Sequence, residues 1–516
     1  MVTGVSLDSR SVHPGDLYAA LPGLTTHGAA FVAQALSTGA VAVLTDPEGA
    51  ARIREQGHDT PLLVHPEPRA VLGGVSALIY GTGEVDLRLI GITGTNGKTT
   101  TAYLTTSALT ALGHSTGLIG TVETRIGNER VKSVRTTPEA TDLHALLAVM
   151  EERGIDTCVM EVSSHALSQH RVDGVVYDLA LFTNLSQDHL DFHDGMEDYF
   201  AAKAGLFTPQ RARRGLVCID DTWGIRLAGQ SAVPVETLTT RPGGHADWVV
   251  TVDPTEPSVF TLRGTGARGG VDLALRSALP GDFNITNTAM AAAALVILGE
   301  EPSAVARAVL TDPHVPGRMQ VITAAEAEGD GRISGDGQTP GVGTTESDPR
   351  AVVDYAHTPE AIRAALAALR PTTPGALVVV TGAGGDRDRD KREDMGRAAA
   401  ELADIVVITD DNPRSEDPAA IRAAVRAGAE TVASSRGTRV DGAAVEIVEV
   451  GDRHDAIRAA VAAARADQAR TGRAATVAVV GKGHESGQEV AGQVLPFDDS
   501  VEVAEALAQP AGEETR

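Results

Sequence analysis

Seven consecutive residues, Gly94-Thr95-Asn96-Gly97-Lys98-Thr99-Thr100, have the types and spacing needed to hold a phosphate. Glycines let the backbone wrap an anion closely. The N-terminus of a following helix aims N–H groups and a partial positive charge at it. Lys98 adds a full charge, and the Thr99 hydroxyl is a ligand type for Mg2+. A tight turn with a surface lysine is the plain alternative, which the Gly-Lys-Thr order between strand and helix disfavours. The general phosphate-loop pattern wants glycine five residues before the Gly-Lys pair, where Ile92 stands.

Other candidates follow short apolar runs. Glu161 closes one such run, and a carboxylate at a strand's C-terminal end can hold Mg2+ beside the loop. Asn184-Leu185-Ser186-Gln187-Asp188-His189-Leu190-Asp191 follows the next run. Taken alone, His189 reads equally as a metal ligand or a hydrogen-bonded loop histidine. Lys203, in Tyr199-Phe200-Ala201-Ala202-Lys203, reads alone as a helix-surface lysine. Three further motifs each end a predicted strand: Gly384-Gly385-Asp386-Arg387, Asp411-Asn412-Pro413-Arg414 and Gly481-Lys482-Gly483-His484-Glu485. Loops at the carboxyl ends of strands in an open sheet converge on one crevice. Arg387, Arg414 and Glu485 then face one pocket. Arginine binds carboxylate at two points and glutamate accepts from an ammonium, so the mixture suits a zwitterionic amino acid.

Positioning these groups requires alternating strands and helices. Leu89–Ile92 reads as a buried strand, Thr93 to Gly97 as a turn, and Lys98 to Leu112 as a helix capped by Gly113. Strands are also expected at Thr157–Val162, Leu179–Thr183, Leu216–Ile219, Leu377–Val380, Ile405–Thr409, Val445–Val450 and Val477–Val480. Such alternation implies α/β architecture with mostly parallel sheets. Three domains are expected: a small α/β domain over 1–86, a phosphate-loop domain over 87–318, and a Rossmann-like domain over 319–516. The stretch Glu328 to Pro349 lacks periodicity and reads as a surface insertion.

The 516 residues suit several domains, and aromatics are only 3%, so cores must be built from Ala, Val, Leu and Ile. A formal charge of −25 argues against nucleic acid or an anionic membrane as the main partner. Cys158 and Cys218 lie in apolar runs and read as buried strand residues, and two cysteines exclude a cysteine-built zinc site. No signal segment and no run of about 20 apolar residues is present, so the cytoplasm is the default compartment.

The shorter loop Gly-Thr-Asn-Gly-Lys-Thr resembles that of the Mur ligase and folylpolyglutamate synthetase superfamily, and the resemblance extends over nearly the whole chain. It implies an ATP-dependent amide-bond ligase. Gly94 to Thr100, Asn284, Arg318 and Asp354 are then nucleotide-side residues. Thr99, Glu161, His189 and Lys203 are the Mg2+ group, with Lys203 carbamylated by CO2. Leu7-Asp8-Ser9-Arg10 and the following glycine-rich string resemble the family's UDP-binding domain. Leu7, Ser9, Leu24, Thr25 and Thr26 then contact the UDP-sugar, and Thr136, Thr137, Ser163, Gln169 and Arg171 the muramyl peptide. Asp-Asn-Pro-Arg resembles the signature of members that add meso-diaminopimelate to UDP-MurNAc-L-Ala-D-Glu. Arg387, Asp411, Asn412, Pro413, Arg414, Gly481 and Glu485 then hold the diaminopimelate, with Arg414 on the second carboxylate that lysine lacks. A monomer is expected.

Other readings make different demands. Folylpolyglutamate synthetases lack the Leu-Asp-Ser-Arg domain, and lysine-adding relatives lack the arginine at 414. A related amidotransferase subunit carries a four-cysteine zinc insert. A phosphate-loop switch would hydrolyse ATP without regard to any amino acid.

Overall fold

The computed structural model describes residues 2–23, 25–188, 190, 192–310, 314–324, 348–435 and 444–509. Leu24, His189 and most of the expected insertion, up to residue 347, lie outside the described residues. The chain divides into two compact units. The first comprises Met1–Ala278 and Ile285–Pro313, and the second Leu279–Asn284 and His314–Arg516.

The first unit contains two sheets. The smaller is parallel, in the order Gly4–Ser6, Asp16–Ala20, Ala42–Thr45 and Leu62–Val64. The larger has eleven strands among the described residues. At its centre Arg88–Thr93 lies between Thr157–Glu161 and Leu179–Phe182, all parallel. The middles of these strands are apolar and buried, as in a parallel sheet covered on both faces, with polar residues such as Thr93 and Glu161 at their ends. The expected strand positions are met to within one or two residues.

The ends of the large sheet differ from the mostly parallel expectation. Thr116–Ile119, Glu123–Ile126 and Glu129–Lys132 form an antiparallel meander at one end. Trp248–Val252, Val259–Gly264 and Asp272–Arg276 form another at the opposite end. Their signal is alternation rather than a continuous apolar run. Asp272–Arg276 buries only Leu273 and Leu275. One face of such strands meets water, so the run-based reading passes over them.

The helix after the phosphate loop, Lys98–Ala111, buries most of its surface despite six threonines among its residues. Thr105 and Thr106 each donate their hydroxyl to the carbonyl four residues back at 2.7 Å, which removes the cost of burying them. Gly113, expected as the cap, follows the terminal residue Leu112 with φ +94°.

Among the described residues the second unit has a six-stranded sheet, in the order Gln320–Ile322, Arg350–Asp354, Thr476–Val480, Leu377–Thr381, Ile405–Ile408, Glu446–Glu449. Only the first strand is antiparallel. Separate apolar cores of Val, Ile, Leu and Ala fill its two faces, as the aromatic-poor composition requires. The helix expected after Pro359 begins at that residue, capped by the Thr358 side chain. Both cysteines are buried and free, and burial pushes the Cys158 thiol up to about 12.

Candidate active site

The phosphate loop closes because two glycines stand where side chains have no room. Gly94 has φ +146°, and a Cβ there would meet Thr183 Oγ1 at 2.0 Å. Gly97 has φ +87°, and a Cβ would meet Asn287 Oδ1 at 2.4 Å. Thr183 donates to the Asn96 carbonyl at 2.6 Å, and Asn184 grips both backbone groups of Asn96 at 3.0 and 3.1 Å. The Asn184 segment is therefore the outer wall of the loop. Lys98 Nζ folds back onto the carbonyls of Gly94 and Thr95 at 2.9 and 2.8 Å.

Glu161 is buried under this loop. Its Oε2 accepts from Thr99 Oγ1 at 2.9 Å and from Thr121 Oγ1 at 3.0 Å, and its Oε1 accepts from Thr121 N at 2.8 Å. Thr121, which sequence reasoning missed, fixes the carboxylate at both oxygens. Its only sequence signal is a hydroxyl just beyond a strand. The pairing of a carboxylate with the Thr99 hydroxyl is the oxygen-donor chemistry Mg2+ favours, so these residues fit that ion. His189, expected in the same group, lies outside the described residues.

Lys203 is not the helix-surface lysine its local pattern suggests. It is fully buried in the helix Met196–Ala204, with Nζ donating to the Gly94 carbonyl at 2.7 Å and lying 4.6 Å from the centre of the Tyr199 ring. Burial, and then the nearby Lys98, push its amine well below the ordinary lysine range. Tyr199 in turn lies within 3.2 Å of Thr95 Oγ1.

The residues expected at the muramyl peptide gather beside Glu161. Thr137 Oγ1 donates to the Glu161 carbonyl at 2.9 Å and accepts from Ser163 N at 3.1 Å. Ser163 caps the short helix Ser164–Ser168. Arg171 donates to Gln169 Oε1 at 2.6 Å and to the Thr137 carbonyl at 3.3 Å. Thr136 Oγ1 is 3.1 Å from Thr121 Oγ1, which links this group to Glu161. In the N-terminal sheet region Ser9 is buried and donates to Gln34, Leu7 packs partly buried, and Thr25 and Thr26 are exposed.

In the second unit three strand-end loops meet as expected. Gly385 N donates to the Asn412 carbonyl, and Glu416 accepts from Asp386 N and from Arg392. A Cβ on Gly384 would lie 3.0 Å from Arg414 Nη1 and 3.8 Å from Arg387 Cγ, so both arginines flank one glycine. Asn412 Nδ2 donates to Glu485 Oε2 at 2.9 Å. Asp386 and Arg414 both hold positive φ, +51° and +52°, a strain that clusters at ligand-binding loops. Asp411 and Pro413 are buried and Gly481 has φ +119°.

Sequence reasoning gave no role to Lys482, Tyr355 or Glu489 here. Tyr355 donates to Glu485 Oε1 at 3.4 Å. Arg318 lies 4.4 Å from the centre of the Tyr355 ring and 3.3 Å from His484 Nδ1. Asp354 accepts from Met319 N and Ala356 N, and burial raises its carboxyl while Arg318 opposes the rise. Asn284 is buried and donates to the Pro280 carbonyl.

A phosphate loop with a buried acid beneath it, and a separate α/β unit whose strand ends carry arginines and a glutamate, fit a nucleotide-dependent enzyme. Comparison with known proteins gives the family. Residues 92–295 match the Mur ligase middle domain, 342–506 the Mur ligase glutamate ligase domain, and 1–73 the Mur ligase family catalytic domain. The chain belongs to the Mur ligase family and is an ATP-dependent amide-bond-forming ligase. It is 50% identical to the UDP-N-acetylmuramoyl-L-alanyl-D-glutamate--2,6-diaminopimelate ligase of Streptomyces avermitilis over 99% of this chain and 93% of that protein. It is 45% identical to the ligase of the same description from Corynebacterium glutamicum, over 98% and 92%. A solved structure of a ligase with that description is 30% identical, with TM-score 0.63 over 98% of this chain and 94% of that one. Mycobacterium tuberculosis folylpolyglutamate synthase in complex with ADP is 18% identical, with TM-score 0.60 over 80% of this chain and 92% of that one, and shares the fold.

Proposed function

We propose that the enzyme joins meso-2,6-diaminopimelate to the D-glutamate γ-carboxylate of UDP-MurNAc-L-Ala-D-Glu, a step in peptidoglycan precursor synthesis. The observation that carries this is the Asp411–Arg414 loop held against the Gly384 and Glu485 loops, with Arg414 and Arg387 flanking Gly384. The named relatives at 45–50% identity, which match nearly the full chain, support it. As part of the same reading the enzyme works in the cytoplasm as a monomer, without nucleic-acid or membrane partners. No described helix is long and apolar enough to cross a membrane.

A γ-carboxylate oxygen attacks the γ-phosphorus of ATP, the bond to ADP breaks, and an acyl phosphate forms. The free amine of diaminopimelate then attacks the acyl carbon, phosphate leaves with the C–O bond, and the nitrogen loses its proton to solvent. Such transfers are accelerated mainly by positioning and charge neutralisation. Lys98 and the loop N–H groups oppose the phosphate charge. Thr99 and Glu161, with His189 by family resemblance, are the residues that would hold Mg2+, which supplies further neutralisation when bound. Lys203 takes up CO2 as a carbamate, for which a buried amine favouring its neutral form is suited. Arg171, Gln169 and Thr137 orient the dipeptide. Arg414 binds the distal carboxylate, and lysine leaves that guanidinium without its partner.

The test is phosphate release from ATP with UDP-MurNAc-L-Ala-D-Glu, adding meso-diaminopimelate or L-lysine in parallel. Release that depends on diaminopimelate, with a tripeptide product by mass, is the expected result. Release driven by lysine overturns the acceptor assignment, and release indifferent to both overturns the ligase reaction proposed.

A further inference from the structure

We propose that Lys482 is a positioning residue of the acceptor pocket, whose buried charge fixes the Asn412 amide and thereby aims Glu485. The proposal rests on the reading that this pocket takes diaminopimelate.

Lys482 has no exposed surface, so it cannot touch a bound amino acid. Its Nζ donates to Asn412 Oδ1 at 3.0 Å and to Glu485 Oε2 at 3.4 Å, with Asp411 Oδ1 at 3.9 Å. An ammonium carries donors only, so an amide beside it must turn its oxygen inward. Asn412 Oδ1 also accepts from Glu489 N at 2.9 Å. With the oxygen held by two donors, Asn412 Nδ2 is committed to Glu485 Oε2 at 2.9 Å. The flipped amide would set an NH2 group against an ammonium and an N–H, and a bare oxygen against the Glu485 carboxylate. Both contacts would be repulsive at low local dielectric.

The consequence reaches the substrate through one atom pair. Glu485 Oε2 is occupied by Asn412 and Lys482, which leaves Oε1, beside the Tyr355 hydroxyl, to receive the acceptor's ammonium. The same amide docks the strand Gln488–Val490, whose Glu489 pairs with Arg414 at 3.2 Å. One buried cation thus orders the group for the ammonium and the support of the group for the distal carboxylate. It also offsets the repulsion between Asp411 and Glu485.

The experiment measures KM for meso-diaminopimelate, ATP and the UDP-dipeptide in wild type, Lys482→Met, Asn412→Ala and the double variant. Lys482→Met is expected to raise KM for diaminopimelate about tenfold or more, since charged hydrogen bonds are lost, with the other two KM values within about twofold. If Lys482 acts through Asn412, the double variant is no worse than about twofold beyond Asn412→Ala alone. Additive losses, or three unchanged KM values, overturn the proposal. Asn412→Asp serves if Lys482→Met does not fold. It keeps an acceptor for Lys482 but removes the donor to Glu485, and an unchanged diaminopimelate KM in it equally overturns the proposal. A wild type that shows no diaminopimelate-dependent phosphate release fails at the level of the acceptor assignment, and the role of Lys482 falls with it. A wild type that passes while the variants do not behave as stated loses only the Lys482 role.

Discussion

Lys98 and Lys203 direct their side-chain nitrogens at one atom, the carbonyl oxygen of Gly94, at 2.9 and 2.7 Å. Two ammonium groups on one acceptor, one of them fully buried, repel each other. Loss of water on burial, and then that repulsion, push the Lys203 amine well below the ordinary lysine range. An amine so shifted can attack the carbon of CO2, opening one C=O π bond and losing a proton from nitrogen to water, and the resulting carbamate is an anion beside Lys98, which turns repulsion into attraction. Lys203→Met is therefore expected to lower ligase turnover by about a hundredfold or more, as loss of a preorganised charged group does. Wild type supplied with 13C-bicarbonate should show a carbamate carbon resonance that the variant lacks. Full activity in Lys203→Met would end the carbamate assignment.

Arg414 is held from two sides before any substrate arrives. Its Nε donates to Glu489 Oε2 at 3.2 Å and its Nη1 to the Gly385 carbonyl at 2.6 Å. This fixes the plane of the guanidinium and leaves its remaining donors for a carboxylate. Arg414→Ala is expected to raise KM for diaminopimelate by about thirtyfold or more, on the order of 2 kcal/mol for a charge-assisted pair. Glu489→Gln keeps the shape but weakens the hold, and a rise of about threefold is expected because the pair is partly exposed. Steady-state kinetics with both variants decide the matter. Equal KM values in wild type and Arg414→Ala would remove Arg414 from substrate recognition.

How much of this was legible in the chain varies with the kind of signal. Gly94 to Thr100 and Glu161 were readable because each lies at the end of an uninterrupted apolar run, and the loops at 384, 411 and 481 were readable for the same reason. Lys203 was singled out by the family resemblance alone, since helical spacing cannot show that its face meets the phosphate loop rather than water. Thr121 and Glu489 gave no signal, and Lys482 was seen only as a member of its motif, with no role of its own. Their roles arise from contacts across 40, 70 and 75 residues of chain, which no local pattern contains. The antiparallel strands from Trp248 to Arg276 escaped for another reason, because half of their side chains face solvent and interrupt the apolar runs.

Glu416 ties the two loops after Gly384 and Asp411 together through its charge. It accepts from Arg392 at 2.8 and 3.1 Å, from Asp386 N at 2.6 Å, and pairs with Arg389 at 3.1 Å. The Arg392 bonds first, then the Asp386 N–H, hold its carboxyl down to about 2, from an ordinary 4.5. A carboxyl depressed by folding contributes stability that is fully present above the unfolded value and is lost as pH falls through the folded one. Its contribution should therefore be constant above about pH 5 and disappear between about 4.5 and 2, as linkage requires. Urea midpoints of wild type and Glu416→Gln, taken from pH 7 down to 2.5, measure this directly. The wild type should be the more stable at neutral pH, with the gap closing as the acid range is entered. A gap that persists undiminished at pH 2.5 would mean that Glu416 acts through shape and not through its charge.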